Sequence, residues 1–218
     1  MHHLLAGLLG NRGADALVRG LAARSPDLQG RQWFDGVAAL RAKMNPRVVK
    51  ATSTAEVDEI VGDGTSAYPQ DAGLRAFVRR LYFLKPDVLI VVDRIEVDRV
   101  RQLELRFHTE APCEEAKDGV VFAKGKKAAL RIEVLWPAGV SVDAGPAPGL
   151  DLDRKPIALN AVRVRAARAN WVNATALSWC AADGEAVKVS LEQRGDRWVF
   201  HAGERSVAIR PLEPGSSQ

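Results

Sequence analysis

YPQDAGLRAFVRRLYFLKPDVLIVVDRIEVDRVRQLELRFHT, Tyr68–Thr109, holds three strand patterns in a row around one turn. Arg75 to Leu84, rich in aromatic and branched residues, reads as a strand, and Gln102 to Thr109 alternates in the period of two that marks a half-buried strand. Leu103, Leu105 and Phe107 point one way, and Glu104, Arg106 and His108 the other. Val88 to Val92 is apolar throughout, the pattern of a central strand covered on both faces. Lys85-Pro86-Asp87 between the first two patterns is turn chemistry, because proline presets φ and aspartate closes tight turns.

The same rhythm runs through the chain from Pro46 onward. Turn signals recur roughly every eight to twelve residues, the spacing of an all-β sandwich. Strands are expected near 47–51, 56–61, 75–84, 88–97, 102–109, 120–123, 128–135, 140–142, 161–167, 172–180, 187–193, 197–202 and 206–210. Val187, Val189 and Leu191 oppose Lys188, Ser190 and Glu192, so that strand too has one buried face. Asp143 to Pro156, rich in glycine, proline and aspartate, reads as the one long loop. The expectation is an all-β fold, an antiparallel multi-stranded β-sandwich over residues 46–211, with a flexible tail over 212–218.

Before Pro46 the period is helical: Leu4, Leu5, Leu8 and Leu9, then Leu17, Val18 and Leu21, then Phe34, Val37, Ala38 and Leu40. Residues 1–45 therefore read as a short α-helical segment of two or three helices, ended by Asn45-Pro46. The opening apolar run lacks a basic stretch before it and a small-residue cleavage site after it, so no signal peptide is expected. No stretch approaches the roughly 20 apolar residues of a transmembrane helix.

Composition narrows the partners. The 218 residues are 47% hydrophobic, enough for a sizeable core, and 31 basic against 27 acidic residues give a net charge of +4 without a basic block. With aromatics at 6%, neither a nucleic-acid arm nor a base-stacking platform is expected. A mildly basic face suits an acidic ligand. Cys113 and Cys180 are the only cysteines, with no CxxC or Cys/His spacing, so no metal site is expected; a single disulfide between them is left open. Gly62-Asp63-Gly64 is not followed by a helix, so no nucleotide site is expected, and no cofactor of any kind is implied.

RRLYFLKPDVLIVVDR at Arg79–Arg94, preceded by GDGTSAYP at Gly62–Pro69, resembles the C-terminal β-sandwich domain of heparinase II/III-like polysaccharide lyases. The likeness continues loosely through LRFHT at Leu105–Thr109 and the strands around Trp171 to Trp179. The resemblance implies a lyase that pairs this sandwich with an N-terminal α/α toroid and cleaves acidic, uronate-containing polysaccharide by β-elimination in the cleft between them. That chemistry needs a neutralised substrate carboxylate, a base for the neighbouring carbon acid, and an acid for the leaving oxygen. It also implies a periplasmic or secreted setting.

The departures are equally informative. The family's toroid supplies catalytic Tyr and His residues, and its first sandwich strands carry a His-rich motif ending in Asp. The histidines here are His2, His3, His108 and His201, and residues 1–45 are too few to build a toroid. The expectation is a sandwich inactive or incomplete alone, needing a toroid domain or partner chain. A non-catalytic module for acidic glycan and a structural remnant are the alternatives.

His108 is the candidate acid/base residue, set against the plain reading of a solvated strand histidine. Arg79, Arg80, Tyr82 and Arg106 are the candidate substrate-binding residues, since arginine pairs bidentately with carboxylates. Charged side chains on an exposed sheet face are otherwise ordinary. Asp93-Arg94 reads as a structural corner. Trp33, Trp136, Trp171, Trp179 and Trp198 read first as core, with sugar stacking as the sharper alternative for Trp171 and Trp198.

Overall fold

A computed structural model describes residues 46–68, 72–114, 117–150 and 156–211. The helical segment expected over 1–45, with Trp33, and the tail over 212–218 lie outside them. The described chain is eleven strands: β1 Arg47–Ser53, β2 Val57–Asp63, β3 Leu74–Leu84, β4 Val88–Thr109, β5 Val120–Lys124, β6 Ala128–Trp136, β7 Ser141–Leu150, β8 Pro156–Ala181, β9 Val189–Arg194, β10 Arg197–Ala202 and β11 Arg205–Ile209. A single 3₁₀ turn, Thr65–Ala67, follows β2. All pairings are antiparallel, as the alternation predicts.

One sheet runs β1-β2-β3-β4-β8-β6-β5, with β7 also on β8, and a second runs β11-β10-β9. The parity of β4 explains how they stack. Val88, Ile90 and Val92 enter a core shared with Trp198, Phe200, Ala202 and Ile209 of the small sheet. Val91, Ile95 and Val97 enter a second core on the opposite face, with Trp171, Val121 and Ile132. Val88, Ile90, Val91 and Val92 are wholly buried, so the apolar run is indeed a strand covered on both faces. Each such side chain removed from water contributes on the order of 1.5–3 kcal/mol.

The second core is closed by the far halves of the same strands. Leu105 and Phe107 of β4, and Val162 and Val164 of β8, join it. Here the structure corrects the sequence reading. The strands expected at 88–97 and 102–109 are one strand, and so are those expected at 161–167 and 172–180. Pairing passes from Glu96↔Asn170 to Arg101↔Arg168, so β4 spends extra residues in a bulge while β8 continues. A bulge bends a ladder without ending it, whereas the local sequence there reads as a break.

The second correction concerns the loop expected over Asp143–Pro156. Residues 141–150 form β7, in register with β8 from Ser141↔Arg165 to Leu150↔Pro156. Pro146 and Pro148 lack the N–H a central strand needs, but β7 has β8 as its only described neighbour, and an edge strand tolerates them. Gly149 answers a close approach: a Cβ there would lie 2.3 Å from Leu159 Cδ1.

Candidate functional site

The five candidate residues fall in three places. Arg79 and Phe77 share the face of β3 that turns toward the second core. Arg79 stands opposite Asp93 and donates to both its oxygens, Nε to Oδ1 at 2.6 Å and Nη2 to Oδ2 at 2.9 Å. Asp93 is fully buried, and the guanidinium also lies 5.6 Å from the centre of the Phe77 ring. Burial opposes the charge on Arg79, and the Asp93 carboxylate outweighs it, so the arginine's pKa is raised. Asp93 was expected at a structural corner; it anchors a strand pair from inside the sheet.

Arg80 and Tyr82 take the opposite face of β3, as alternation predicts. Tyr82 is only 4% exposed and belongs to the first core. Burial, the largest effect, and the neighbouring Glu59 raise its phenol pKa, against the pull of Arg80. Glu59 faces Tyr82 across β2 and β3 and also receives Lys50 Nζ at 2.6 Å. Arg80 Nη1 donates to the Arg210 carbonyl at 3.3 Å.

Arg106 and His108 lie thirteen and fifteen residues beyond Asp93 on β4, past the bulge, on its exposed outer face. Leu105 and Phe107 beside them point inward, as expected. Arg106 faces Arg163 of β8, and Glu104 faces Arg165, while β7 places Asp143 opposite Arg163. The side chains form a chain of alternating charge. Arg106 donates to Glu104 Oε1, Arg165 Nε to Glu104 Oε2 at 2.5 Å, Arg165 Nη1 to Asp143 Oδ2, and Arg163 Nη1 to Asp143 Oδ1 at 3.0 Å.

Three arginines thus surround two carboxylates, leaving one positive charge in excess on an open face. The Arg106 hydrogen bond, followed by that of Arg165, holds the Glu104 carboxyl below its ordinary range although desolvation opposes this. Partial desolvation likewise works against the Asp143 carboxylate, and the two arginines overcome it. Arg106 is the most solvent-exposed of the three arginines, with 59% of its side chain open.

Sequence reasoning missed Arg163, Arg165 and Asp143. Arg163 and Arg165 alternate with Val162 and Val164, a signal of an outward charged face that was available. Asp143 was hidden by the loop reading. Of the described tryptophans, Trp171 and Trp198 are buried, Trp179 stacks on Phe83 at 5.7 Å, and Trp136 is the most exposed at 36%, resting against Trp198 at 5.8 Å. Cys113 and Cys180 are free thiols. Among the described residues, no three His, Cys, Asp or Glu side chains converge as a metal site, and no helix is long and apolar enough to cross a membrane.

No protein-family model and no curated protein matches the sequence. Solved structures do match the fold. Heparan sulfate lyase HepC from Pedobacter heparinus aligns over 79% of this chain and 29% of its own, at TM-score 0.64 and 14% identity. A heparinase III structure aligns over 76% and 28% at TM-score 0.61 and 12% identity, and another over 77% and 27% at 0.55 and 12%.

The likeness is one of fold. This chain spans less than a third of the length of those proteins.

Proposed function

We propose that this chain is the β-sandwich portion of a polysaccharide-lyase-like protein that engages acidic, uronate-containing polysaccharide. The observation that carries the reading is the fold shared with part of heparan sulfate lyase, joined to an open sheet face with arginine in excess. Arg106 is the residue on that face best exposed to meet a uronate carboxylate. His108 lies on the same side of β4, two residues from Arg106, and is the candidate acid/base group of that face. Arg79 serves the interior instead, and Tyr82 is enclosed, so both support the sheet in this reading.

β-Elimination needs a carboxylate neutraliser, a base and an acid around one sugar. Arg106 and His108 supply at most two of these, and the rest falls to a toroid domain or partner chain. The sandwich alone is expected to bind without turnover. The reading of a non-catalytic glycan-binding module is favoured by the separation of Arg79, Arg80 and Tyr82 from His108.

Affinity electrophoresis through alginate, heparan sulfate, hyaluronan or a neutral glucan tests the binding claim. Retardation in an acidic gel, lessened by Arg106→Ala and by added salt, is expected. Equal mobility in all gels would remove the proposal. Release of unsaturated uronate on adding a complementary toroid fragment separates the lyase reading from the binding module.

A further inference from the structure

A sheet edge exposes a row of unpaired N–H and C=O groups, and proteins guard such edges with bulges, prolines, charges or short length. Most described edges here are guarded. β1 carries a bulge between Val48 and Lys50, with Arg47 and Lys50 along it. β7 carries Pro146 and Pro148, which lack donors. β5 is five residues long and is bridged by Cys113 and Lys117 near its ends. β9 and β11 are six and five residues long.

The far half of β4 is a longer open edge, and the charges along it, Arg101, Glu104 and Arg106, are of both signs. Arg101 to Thr109 keeps unbroken register with β8, and contains neither proline nor glycine. β3, which flanks the near half of β4, pairs no further than Val97. Among the described residues no strand pairs with the outer edge of this nine-residue run.

The sequence of the run is complementary to itself. In an antiparallel pair of two copies related by a two-fold axis at Leu105, Glu104 stands opposite Arg106 and Arg106 opposite Glu104. Leu103 stands opposite Phe107, and Gln102 opposite His108. Inward residues meet inward residues, and no like charges face each other. Moving the axis one residue either way sets Glu104 against Glu104, or Arg106 against Arg106, which is unfavourable. One register is therefore selected by charge.

We propose that a second copy of this chain is the partner of that edge, forming a two-fold symmetric dimer through β4 between Arg101 and Thr109. The interface is isologous. Backbone hydrogen bonds supply its attraction, and the Glu104–Arg106 pairs, each occurring twice, fix its register. Arg106 can reach across to the second copy, since 59% of its side chain is open to solvent although it also donates to Glu104 of its own chain.

Sedimentation of the full chain over a range of concentrations, without glycan, tests this. The wild type is expected to move from one-chain to two-chain mass as concentration rises. Arg106→Glu and Glu104→Arg each put like charges in register and should weaken association about tenfold or more. An equal mixture of the two variants restores opposite charges on both sides and should associate as a heterodimer. One-chain mass for the wild type at every concentration would overturn the proposal. So would an association unchanged by Arg106→Glu, or a mixture that stays monomeric although both variants fold. Should Glu104→Arg fail to fold through losing the Arg165 contact, the exposed Arg106→Glu variant alone decides.

Discussion

Arg79 and Asp93 face each other across β3 and β4 and share two hydrogen bonds, with the carboxylate fully buried and the guanidinium largely so. Two parallel N–H to oxygen bonds satisfy the charge in a place where water cannot. Removing one partner strands the other. Asp93→Asn is therefore expected to lower unfolding free energy by about 3–5 kcal/mol. Replacing both, as Arg79→Met with Asp93→Leu, should recover most of that loss. Urea denaturation of the single and double variants measures it, and additive losses would show that the pair is not the cause.

Gly73 precedes β3 with φ at +66°, and its carbonyl accepts the Asp98 N–H at 2.8 Å. A Cβ there would lie 2.5 Å from Asp98 Oδ1 and 2.6 Å from Arg101 Nη2, inside the pair those two side chains make. Gly73→Ala combines an unfavourable backbone conformation with that intrusion and should cost more than about 1 kcal/mol. A thermal melt that matches wild type would mean the turn can open at no cost.

The position of Arg79 opposite Asp93 was within reach of the sequence. Leu84 faces Val88 across the Lys85-Pro86-Asp87 turn, and counting five residues back and five forward brings Arg79 to Asp93. Short hairpins fix register locally, which is why β3 and the first half of β4 were legible. The partners of Arg106 were not. Arg163 lies 57 residues away in sequence and arrives through a bulge and a long strand whose continuity no local pattern encodes. Asp143 was lost because Pro146 and Pro148 signal a loop unless the strand is known to lie at an edge. The fold was therefore readable where contacts are local; alternation in β4 and β8 showed that each has an outward charged face, but not that β4, β7 and β8 bring those charges together.

Cys113 lies against the second core, partly buried, and burial pushes its thiol pKa up. The thiolate is the reactive form, so a raised pKa slows attack. In the native chain at neutral pH, Cys113 should react with a maleimide more slowly than after denaturation. Peptide mass spectrometry of a time course reads this directly; equal rates in both states would place the thiol in open solvent.

Several solvent-accessible carboxylates have pKa values lowered by hydrogen-bonding and basic neighbours in the folded chain: Asp58 by Lys85 and the Ser53 hydroxyl, Asp98 by Arg101, Glu104 by Arg106 and Arg165, and Glu192 by Arg194 and His201. A group whose folded pKa lies below its unfolded value binds protons more weakly when folded. Its stabilising effect is complete above the ordinary carboxylate pKa of about 4 and is lost as pH falls through the lower folded value. The melting temperature should therefore hold between about pH 7 and 5 and decline below about pH 4. Because these pairs are open to solvent, each contributes little and salt should flatten the decline. Glu104→Gln removes the carboxylate that two arginines share, so its acid decline should be shallower than that of the wild type. A melting temperature that stays level or rises down to about pH 3 would show that the arginine-carboxylate chain of β4, β7 and β8 does not stabilise the folded sheet.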